Sequence, residues 1–133
     1  MAARTEDDVR DDVKVLVVED ETLVGMDLVI MLEEWGYAAE GPLKSVPRAL
    51  NVLQKSVPDV AILDINLGNG ETSFPIAAKL SEMNVPFLFL TGYDQSRFHA
   101  SEEWLDAPHL RKPLEEPALR DVLSKIAPKP RER

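Results

Sequence analysis

Carboxylates follow two apolar runs of this sequence. Glu19 and Asp20 come directly after VKVLVV, and Asp64 ends the run DVAILD, with Asn66 two residues further on. Carboxylates that lie close together repel each other and raise one another's pKa, and a divalent cation removes that conflict. Because the candidate ligands are all oxygens, without His or Cys, the pattern favours Mg²⁺, for which Mn²⁺ could substitute. We therefore expect Asp20, Asp64 and the backbone carbonyl of Asn66 to bind Mg²⁺, and Glu19 to contact it directly or through water.

A hydroxyl and an amine accompany these acids. Thr91 and Lys112 each lie at the end of a further extended segment, in PFLFLT and HLRK. An ammonium group and a hydroxyl are useful where additional negative charge arrives, as it does with a phosphoryl group. Asp64 is then the candidate nucleophile, because a carboxylate can form an aspartyl phosphate. Lys112 and Thr91 would each contact a phosphoryl oxygen, since phosphoryl transfer depends mainly on positioning and charge stabilisation.

Short apolar runs predict the strands that would carry these residues. Three are near-continuous runs rich in Val, Ile, Leu and Phe, at 13–19, 59–65 and 86–92. Runs of this length without polar alternation are typical of strands that are covered on both faces of a parallel sheet. Two shorter and more polar segments, at 38–41 and 109–111, predict strands at the edges of that sheet.

Helical patterns separate the predicted strands. The segments 21–35, 45–55, 73–83 and 115–127 carry apolar residues at helical spacing, and 94–105 predicts a weaker helix. Five successive strand–helix units predict an α/β, doubly wound fold, which is an open parallel sheet with helices on both faces. Ligands bind such sheets beyond the carboxyl ends of the strands, so the acids, Thr91 and Lys112 should meet at that edge.

Composition limits the classes of function. The 133 residues suit one domain, and the absence of cysteine excludes disulfides and thiol chemistry. A formal net charge of −9 without a long basic patch argues against nucleic-acid binding. No apolar stretch approaches the ~18–20 residues of a membrane helix and no signal peptide is evident, so we expect a cytoplasmic protein that does not bind membranes. Residues 1–12 and 128–133 predict flexible acidic and basic tails around a domain at 13–127.

Four motifs together resemble the response regulator receiver domain of two-component signalling. Each motif is short, but all four occur in the family's order, and the resemblance covers about residues 13–127. It implies a flavodoxin-like or CheY-like (βα)5 fold with strand order 2-1-3-4-5, Mg²⁺-dependent phosphorylation of Asp64 by a phosphohistidine, a switch at Thr91 and a cis Lys112–Pro113 bond. The motifs are VVEDE with Glu19 and Asp20, ILDINL with Asp64, LTGY with Thr91, and RKPL with Lys112 and Pro113.

One position departs from the usual receiver pattern. The family usually places Tyr or Phe three residues before the Lys, where this sequence has His109. The stretch PFLFLTGY at 86–93 is similar to the signature of the FATGUY branch of receivers, which typically lacks that aromatic residue. Within this resemblance, Tyr93 could shield the site or move with its loop, and His109 occupies the position of the usual switch aromatic.

The resemblance also implies partners and a mode of signalling. We expect phosphorylation by a sensor histidine kinase or a histidine phosphotransfer protein, without steady enzymatic turnover. A stand-alone receiver would then signal by phosphorylation-dependent protein contact or act as a phosphate sink. A downstream protein would bind the face made by the predicted helix 94–105, the strand 109–111 and the helix 115–127. The apolar first helix at 21–35 offers a surface for the kinase or for a homodimer.

Two other functions remain open at this point. A phosphotransferase of the haloacid-dehalogenase type also uses an Asp nucleophile and Mg²⁺, but it needs a second acid two residues later, where this sequence has Asn66. A pseudo-receiver would bind partners without phosphorylation, and the intact set of acids argues against it.

Overall fold

The structure is a computed structural model, and it describes residues 9–10, 13–92, 104 and 106–130. Tyr93 and nearly all of the predicted helix at 94–105 lie outside the described residues. No helix in the described ranges is long and apolar enough to cross a membrane.

A parallel sheet of five strands forms the centre of the molecule. The strands are β2 at Lys14–Val18, β3 at Ala38–Leu43, β4 at Val60–Asp64, β5 at Phe87–Thr91 and β6 at His109–Arg111. Their order is β3-β2-β4-β5-β6, which is 2-1-3-4-5 when the strands of this sheet are numbered along the chain, as the resemblance implied. The three central strands β2, β4 and β5 lie inside the apolar runs that predicted them.

Four described helices connect and cover these strands. They are α1 at Thr22–Glu34, α2 at Val46–Lys55, α3 at Phe74–Glu82 and α4 at Glu116–Ile126, the last being the helix predicted at 115–127. The start of α2 shows the local cause of such a boundary. Ser45 accepts a hydrogen bond from the Arg48 N–H at 3.3 Å, and Pro47 occupies the first turn, where its missing N–H costs nothing.

The helices bury a separate apolar cluster on each face of the sheet. Helices α1 and α4 cover one face, where they pack on Val15, Val17, Ile62, Leu88 and Leu90. Helices α2 and α3 cover the other face, together with Trp104, and they pack on Leu16, Ala61, Leu63 and Phe89. The central strands are therefore buried on both sides, which explains why their sequences lack polar alternation.

The edge strand β3 contains a bulge. Leu16 pairs with Glu40 and Val18 pairs with Leu43, so β3 advances three residues while β2 advances two. Gly41 and Pro42 lie in the bulge, and Gly41 has a φ of 127°. A Cβ at Gly41 would lie 2.4 Å from the Val17 carbonyl oxygen, so only glycine fits there. With the bulge, β3 extends to Leu43, two residues beyond the predicted segment 38–41.

A second, two-stranded sheet joins two distant parts of the chain. Strand β1 at Val9–Arg10 pairs in parallel with β7 at Lys129–Pro130. Both strands fall within the ranges 1–12 and 128–133 that the sequence predicted to be tails.

Candidate functional site

The carboxyl ends of the sheet strands bring the predicted site residues together. Glu19 directly follows β2, Asp64 is the last residue of β4, Thr91 ends β5 and Lys112 follows β6. Because all the strands run in parallel, these positions lie along one edge of the sheet. The backbone also links two of them, since the Lys112 N–H donates a 2.9 Å hydrogen bond to the Thr91 carbonyl oxygen.

Three carboxylates form an acidic cluster at this edge. One carboxylate oxygen from each of Glu19, Asp20 and Asp64 lies within 4.8 Å of the others. Glu19 is fully buried, Asp64 is 5% exposed, and Asp20 is only partly exposed. Several buried carboxylates with oxygen as the sole donor type suit a hard divalent cation such as Mg²⁺. The donor set therefore fits the predicted metal.

Lys112 supplies the positive charge beside this cluster. Its Nζ lies 2.6 Å from Glu19 Oε1 and 3.2 Å from Asp64 Oδ2, so one amine contacts two acids. The other carboxylate oxygen of Glu19, Oε2, accepts a hydrogen bond from the Glu21 N–H at 3.4 Å. Among the described residues, one cation therefore faces three acids, which leaves an excess of negative charge at the site.

An open hollow of about 460 Å³ lies over the acids. Asp20, Asp64 and Lys112 all line it, so a ligand in the hollow would meet the acids and the amine at once. Thr91 is buried and does not line this hollow, although its neighbour Gly92 does. The remaining lining residues are Glu21, Val24, Asn66, Gly68 and Pro113.

Comparison with known proteins identifies the family of this chain. The family model of the response regulator receiver domain matches residues 15–124. The chain belongs to the response regulator receiver family. Receiver domains are signalling domains of two-component systems, bind Mg²⁺ through an acidic pocket and interact with histidine kinases or phosphotransfer proteins.

Regulatory proteins and solved receivers are among the relatives of this receiver. The sensory transduction protein LytT of Bacillus anthracis is 37% identical over 116 residues, which are 84% of this chain and 46% of LytT. The solution structure of SdrG from Sphingomonas melonis Fr1 is 32% identical, with a TM-score of 0.77 over 89% of this chain and 98% of that one. A receiver from Burkholderia phymatum is 30% identical, with a TM-score of 0.71 over 86% of this chain and 97% of that one. The chain spans about half the length of the curated relatives it matches first.

Burial and mutual contact shift the pKa values of the receiver's charged groups. Burial, together with a hydrogen bond to Glu19 and the charge of Glu19, raises the pKa of Asp64 to about 8 against the opposing effect of Lys112. Burial also acts to raise the pKa of Glu19, but its bonds with Asp64 and Lys112 hold that pKa below its ordinary value. Burial acts to lower the pKa of Lys112, whereas the two acids outweigh it and raise that pKa. Without metal, these opposite pKa shifts favour protonation of Asp64 over protonation of Glu19.

The remaining predicted site residues are Asn66, Pro113, His109 and Tyr93. Asn66 is exposed at the hollow and forms an isolated bridge with Thr72, while the role of its carbonyl stays a prediction. The Lys112–Pro113 peptide bond is cis, which the resemblance implied. His109 is exposed on β6, and its ring centroid lies 5.4 Å from that of Phe89. The predicted shielding role of Tyr93 falls outside the described residues.

The sequence did not indicate a role for two residues near the cluster, Gly25 and Pro42. Pro42 in the bulge of β3 lies against Gly25 in α1, close enough that a Cβ at Gly25 would be 2.5 Å from the Pro42 Cβ. The same Cβ would lie 3.6 Å from the Glu19 Cβ, so this contact adjoins the buried acid. A glycine inside an otherwise helical pattern is the one signal in the sequence that could have indicated a close approach at this position.

Proposed function

We propose that this receiver accepts a phosphoryl group on Asp64 from a phosphohistidine of a histidine kinase or histidine phosphotransfer protein, in a Mg²⁺-dependent reaction. One observation carries the proposal: the Asp64 carboxylate shares an open hollow with the amine of Lys112 and a second acid, Asp20. This arrangement provides a nucleophile, a cation for the incoming phosphoryl oxygens and ligands for a metal.

The reaction uses each group in a distinct role. An Asp64 oxygen attacks phosphorus, the phosphorus–nitrogen bond breaks, and the histidine ring leaves with the electron pair and takes up a proton from solvent. Lys112 exchanges its contact with Asp64 for one with a phosphoryl oxygen, and Thr91 donates a hydrogen bond to another. Asp20, Asp64, the Asn66 carbonyl and Glu19, directly or through water, would hold Mg²⁺. When bound, Mg²⁺ would supply positive charge to the phosphoryl oxygens.

The exposed face of α1 is the proposed docking surface for the phosphoryl donor. Leu23, Met26 and Ile30 lie three and four residues apart on one side of the helix, and they are 79%, 50% and 53% exposed. An apolar stripe that remains this exposed is typical of a surface that contacts another protein. Self-association through the same stripe would compete with the donor and is an alternative outcome of the docking test.

The phosphorylated receiver would signal through protein contact or would drain phosphoryl groups from the kinase. On phosphorylation, Lys112 would exchange its contact with Asp64 for one with the phosphoryl group. This change of contact could shift the receiver between two conformations. The proposed output face consists of β6, α4 and the predicted helix at 94–105, most of which lies outside the described residues. Assignment to the FATGUY branch, with Thr91, Tyr93 and His109 in its switch, is part of this proposal.

Stand-alone action of the receiver is also a proposal, with residues 13–127 as the receiver domain. The match to 98% of the SdrG chain supports it, whereas LytT extends well beyond the matched region. An immunoblot of the source cells decides the point: a native protein near the 14.9 kDa of this chain is expected, and a much larger one would refute it. We place the protein in the cytoplasm, where ATP-dependent histidine phosphorylation would supply the donor.

Labelling with acetyl phosphate and Mg²⁺ tests the central step. The protein should gain one acid-labile phosphoryl group on the peptide that contains Asp64, and Asp64→Asn should abolish it. Asp121→Asn is the matched control, because Asp121 is an exposed acid on α4, away from the hollow, whose side chain pairs with Lys125 at 3.0 Å. Persistent labelling of Asp64→Asn would refute the assignment. No labelling together with retained partner binding would indicate a pseudo-receiver, and steady release of phosphate from an ester would indicate a phosphotransferase.

A further inference from the structure

The segment 41–44, which we call the bulge segment, contacts the acid-bearing stretch 19–25 with three successive residues. Pro42 lies against Gly25, the Leu43 carbonyl oxygen accepts the Glu19 N–H at 2.9 Å, and Lys44 Nζ donates to Thr22 Oγ1 at 2.7 Å. These contacts join an edge strand to the start of α1 and to the turn that carries Glu19 and Asp20. They are therefore placed where a shift would move the acidic cluster.

The fit between Pro42 and α1 depends on the missing side chain at Gly25. A Cβ at Gly25 would lie 2.5 Å from the Pro42 Cβ and 2.7 Å from its Cγ. A proline ring cannot rotate away as a flexible side chain would, so the backbone of the bulge would have to move. Glycine destabilises a helix interior relative to alanine, and this contact gives a physical reason for its presence in α1.

The geometry of Glu19 depends on the same contacts. Its Cβ is the next atom that a Cβ at Gly25 would meet, at 3.6 Å, and its N–H is held by the residue that follows Pro42. Its carboxylate is fully buried and is fixed at the other end by Lys112 at 2.6 Å. A displacement of the bulge would thus pull on the main chain of Glu19 while Lys112 holds its carboxylate.

We propose that Gly25 and Pro42 are positioning residues for the acidic cluster, because their contact holds Glu19 where it can serve the metal. Neither residue contributes a metal ligand. They act on the carboxylate as supporting groups act on a metal ligand elsewhere, by fixing its orientation. The inference deepens the proposed function and rests on it, since it assigns these residues to the proposed Mg²⁺ site.

The test combines two variants and two measurements. Gly25→Ala should raise the Mg²⁺ dissociation constant, measured by calorimetry, about tenfold, as is typical when a group that orients a metal ligand is lost. In the metal-free protein, the same variant should speed hydrogen exchange of the Glu19 amide, measured by NMR. Pro42→Gly removes both ring atoms that a Cβ at residue 25 would meet. In the double variant, both quantities should return to the values of Pro42→Gly alone, which we expect to lie between wild type and Gly25→Ala.

Leu32→Ala is the control for general destabilisation. Leu32 is a buried residue of the same helix, packed in the core beneath α1 and α4. Its variant should lower the melting temperature but leave the Mg²⁺ dissociation constant as in wild type, and it should speed the Glu19 amide exchange no more than its loss of global stability requires. The proposal is overturned if Gly25→Ala behaves like this control. It is also overturned if the Mg²⁺ dissociation constant and the Glu19 amide exchange of the double variant stay at the values of Gly25→Ala.

Failure of this inference can be told apart from failure of the proposed function. Wild-type protein that binds no Mg²⁺ would refute the proposed function, and the exchange of the Glu19 amide would still decide whether Gly25 and Pro42 hold Glu19. If Gly25→Ala does not fold, Pro42→Gly alone provides the test. Faster exchange and weaker Mg²⁺ binding are then expected, and wild-type values for both would overturn the proposal.

Discussion

The balance of charge between three residues governs the behaviour of the site. Lys112 contacts both Glu19 and Asp64, yet a single amine does not neutralise two buried acids with Asp20 close by. Burial, together with the contact and charge of Glu19, therefore raises the pKa of Asp64 to about 8. A nucleophilic carboxylate needs to be ionised, so the metal has a second role here, which is to favour the ionised form of Asp64 by adding positive charge.

The pH dependence of stability should reveal this balance in metal-free protein. Because the pKa of Asp64 is raised from 3.8 to about 8, its contribution to the free energy of unfolding is complete below pH 4 and is lost as the pH rises toward 8. Asp64→Asn has no ionisable carboxyl group at this position, so its free energy of unfolding should not show this loss. Its stability advantage over wild type should therefore be larger at pH 8 than at pH 5 by about 4 kcal/mol, because about 1.4 kcal/mol is lost for each of nearly three pH units.

Urea unfolding in EDTA at the two pH values measures this difference. Asp121→Asn serves again as the control, because its exposed ion pair with Lys125 should contribute little at either pH. A constant difference between Asp64→Asn and wild type from pH 5 to pH 8 would show that Asp64 is already ionised in the metal-free fold.

Among the secondary-structure elements, the apolar runs predicted the strands, and apolar residues at helical spacing predicted the helices that cover them. Strands β2, β4 and β5 lie within the predicted segments because burial on both faces removes polar residues from all of their positions. The strand ends then predicted which residues would meet, and Asp20, Asp64 and Lys112 do line one hollow. That part of the site follows from topology alone.

Other features were not predictable because they depend on contacts between distant residues. Gly25 and Pro42 are 17 positions apart, and no periodicity relates them, so their contact and the bulge at Gly41 appear only in three dimensions. The motifs predicted a contact between Lys112 and a phosphoryl oxygen, but not the 2.6 Å ion pair between Lys112 and the buried Glu19. A charge pair of this kind depends on side-chain packing, which the order of the motifs does not specify.

The exposed stripe of α1 should affect transfer from protein donors alone. Ile30→Glu places a charge in the proposed docking surface and should slow phosphoryl transfer from a phosphorylated histidine kinase about tenfold. Labelling by acetyl phosphate should not change, because this small donor needs no docking surface. Val57→Glu is the matched control, since Val57 is 61% exposed but lies in the loop before β4, at the opposite end of the strands from the hollow. Equal effects of both variants would argue against a docking role for α1.

At the scale of the whole molecule, the site belongs to the same cooperative unit as the two cores. Strand β2 is buried against both apolar clusters and leads directly into Glu19 and Asp20, while β4 leads into Asp64. A ligand that binds these acids binds only the folded arrangement, because unfolding separates residues 44 positions apart in sequence. Occupation of the site should therefore be visible in global stability.

Mg²⁺ should stabilise the receiver as a whole. At a concentration tenfold above its dissociation constant, it should add about 1.4 kcal/mol to the free energy of unfolding, which thermal or urea unfolding can measure. Asp20→Asn removes one proposed ligand from a partly exposed position and should lose most of this gain without a large change in metal-free stability. An equal gain in wild type and Asp20→Asn would exclude Asp20 as a ligand.

The pairing of β1 with β7 has a practical consequence for protein engineering. It sets Val9 beside Lys129, and Arg10 precedes β2 by only a few residues, so the pair lies where the sheet strands begin, opposite the acids. Circular permutation should then be tolerated, with a short Gly-Ser connection across this pair and new termini opened at the exposed Val57, in the loop before β4 and away from the hollow. Fluorophores or affinity handles attached beside the pair would leave access to the phosphorylation site free.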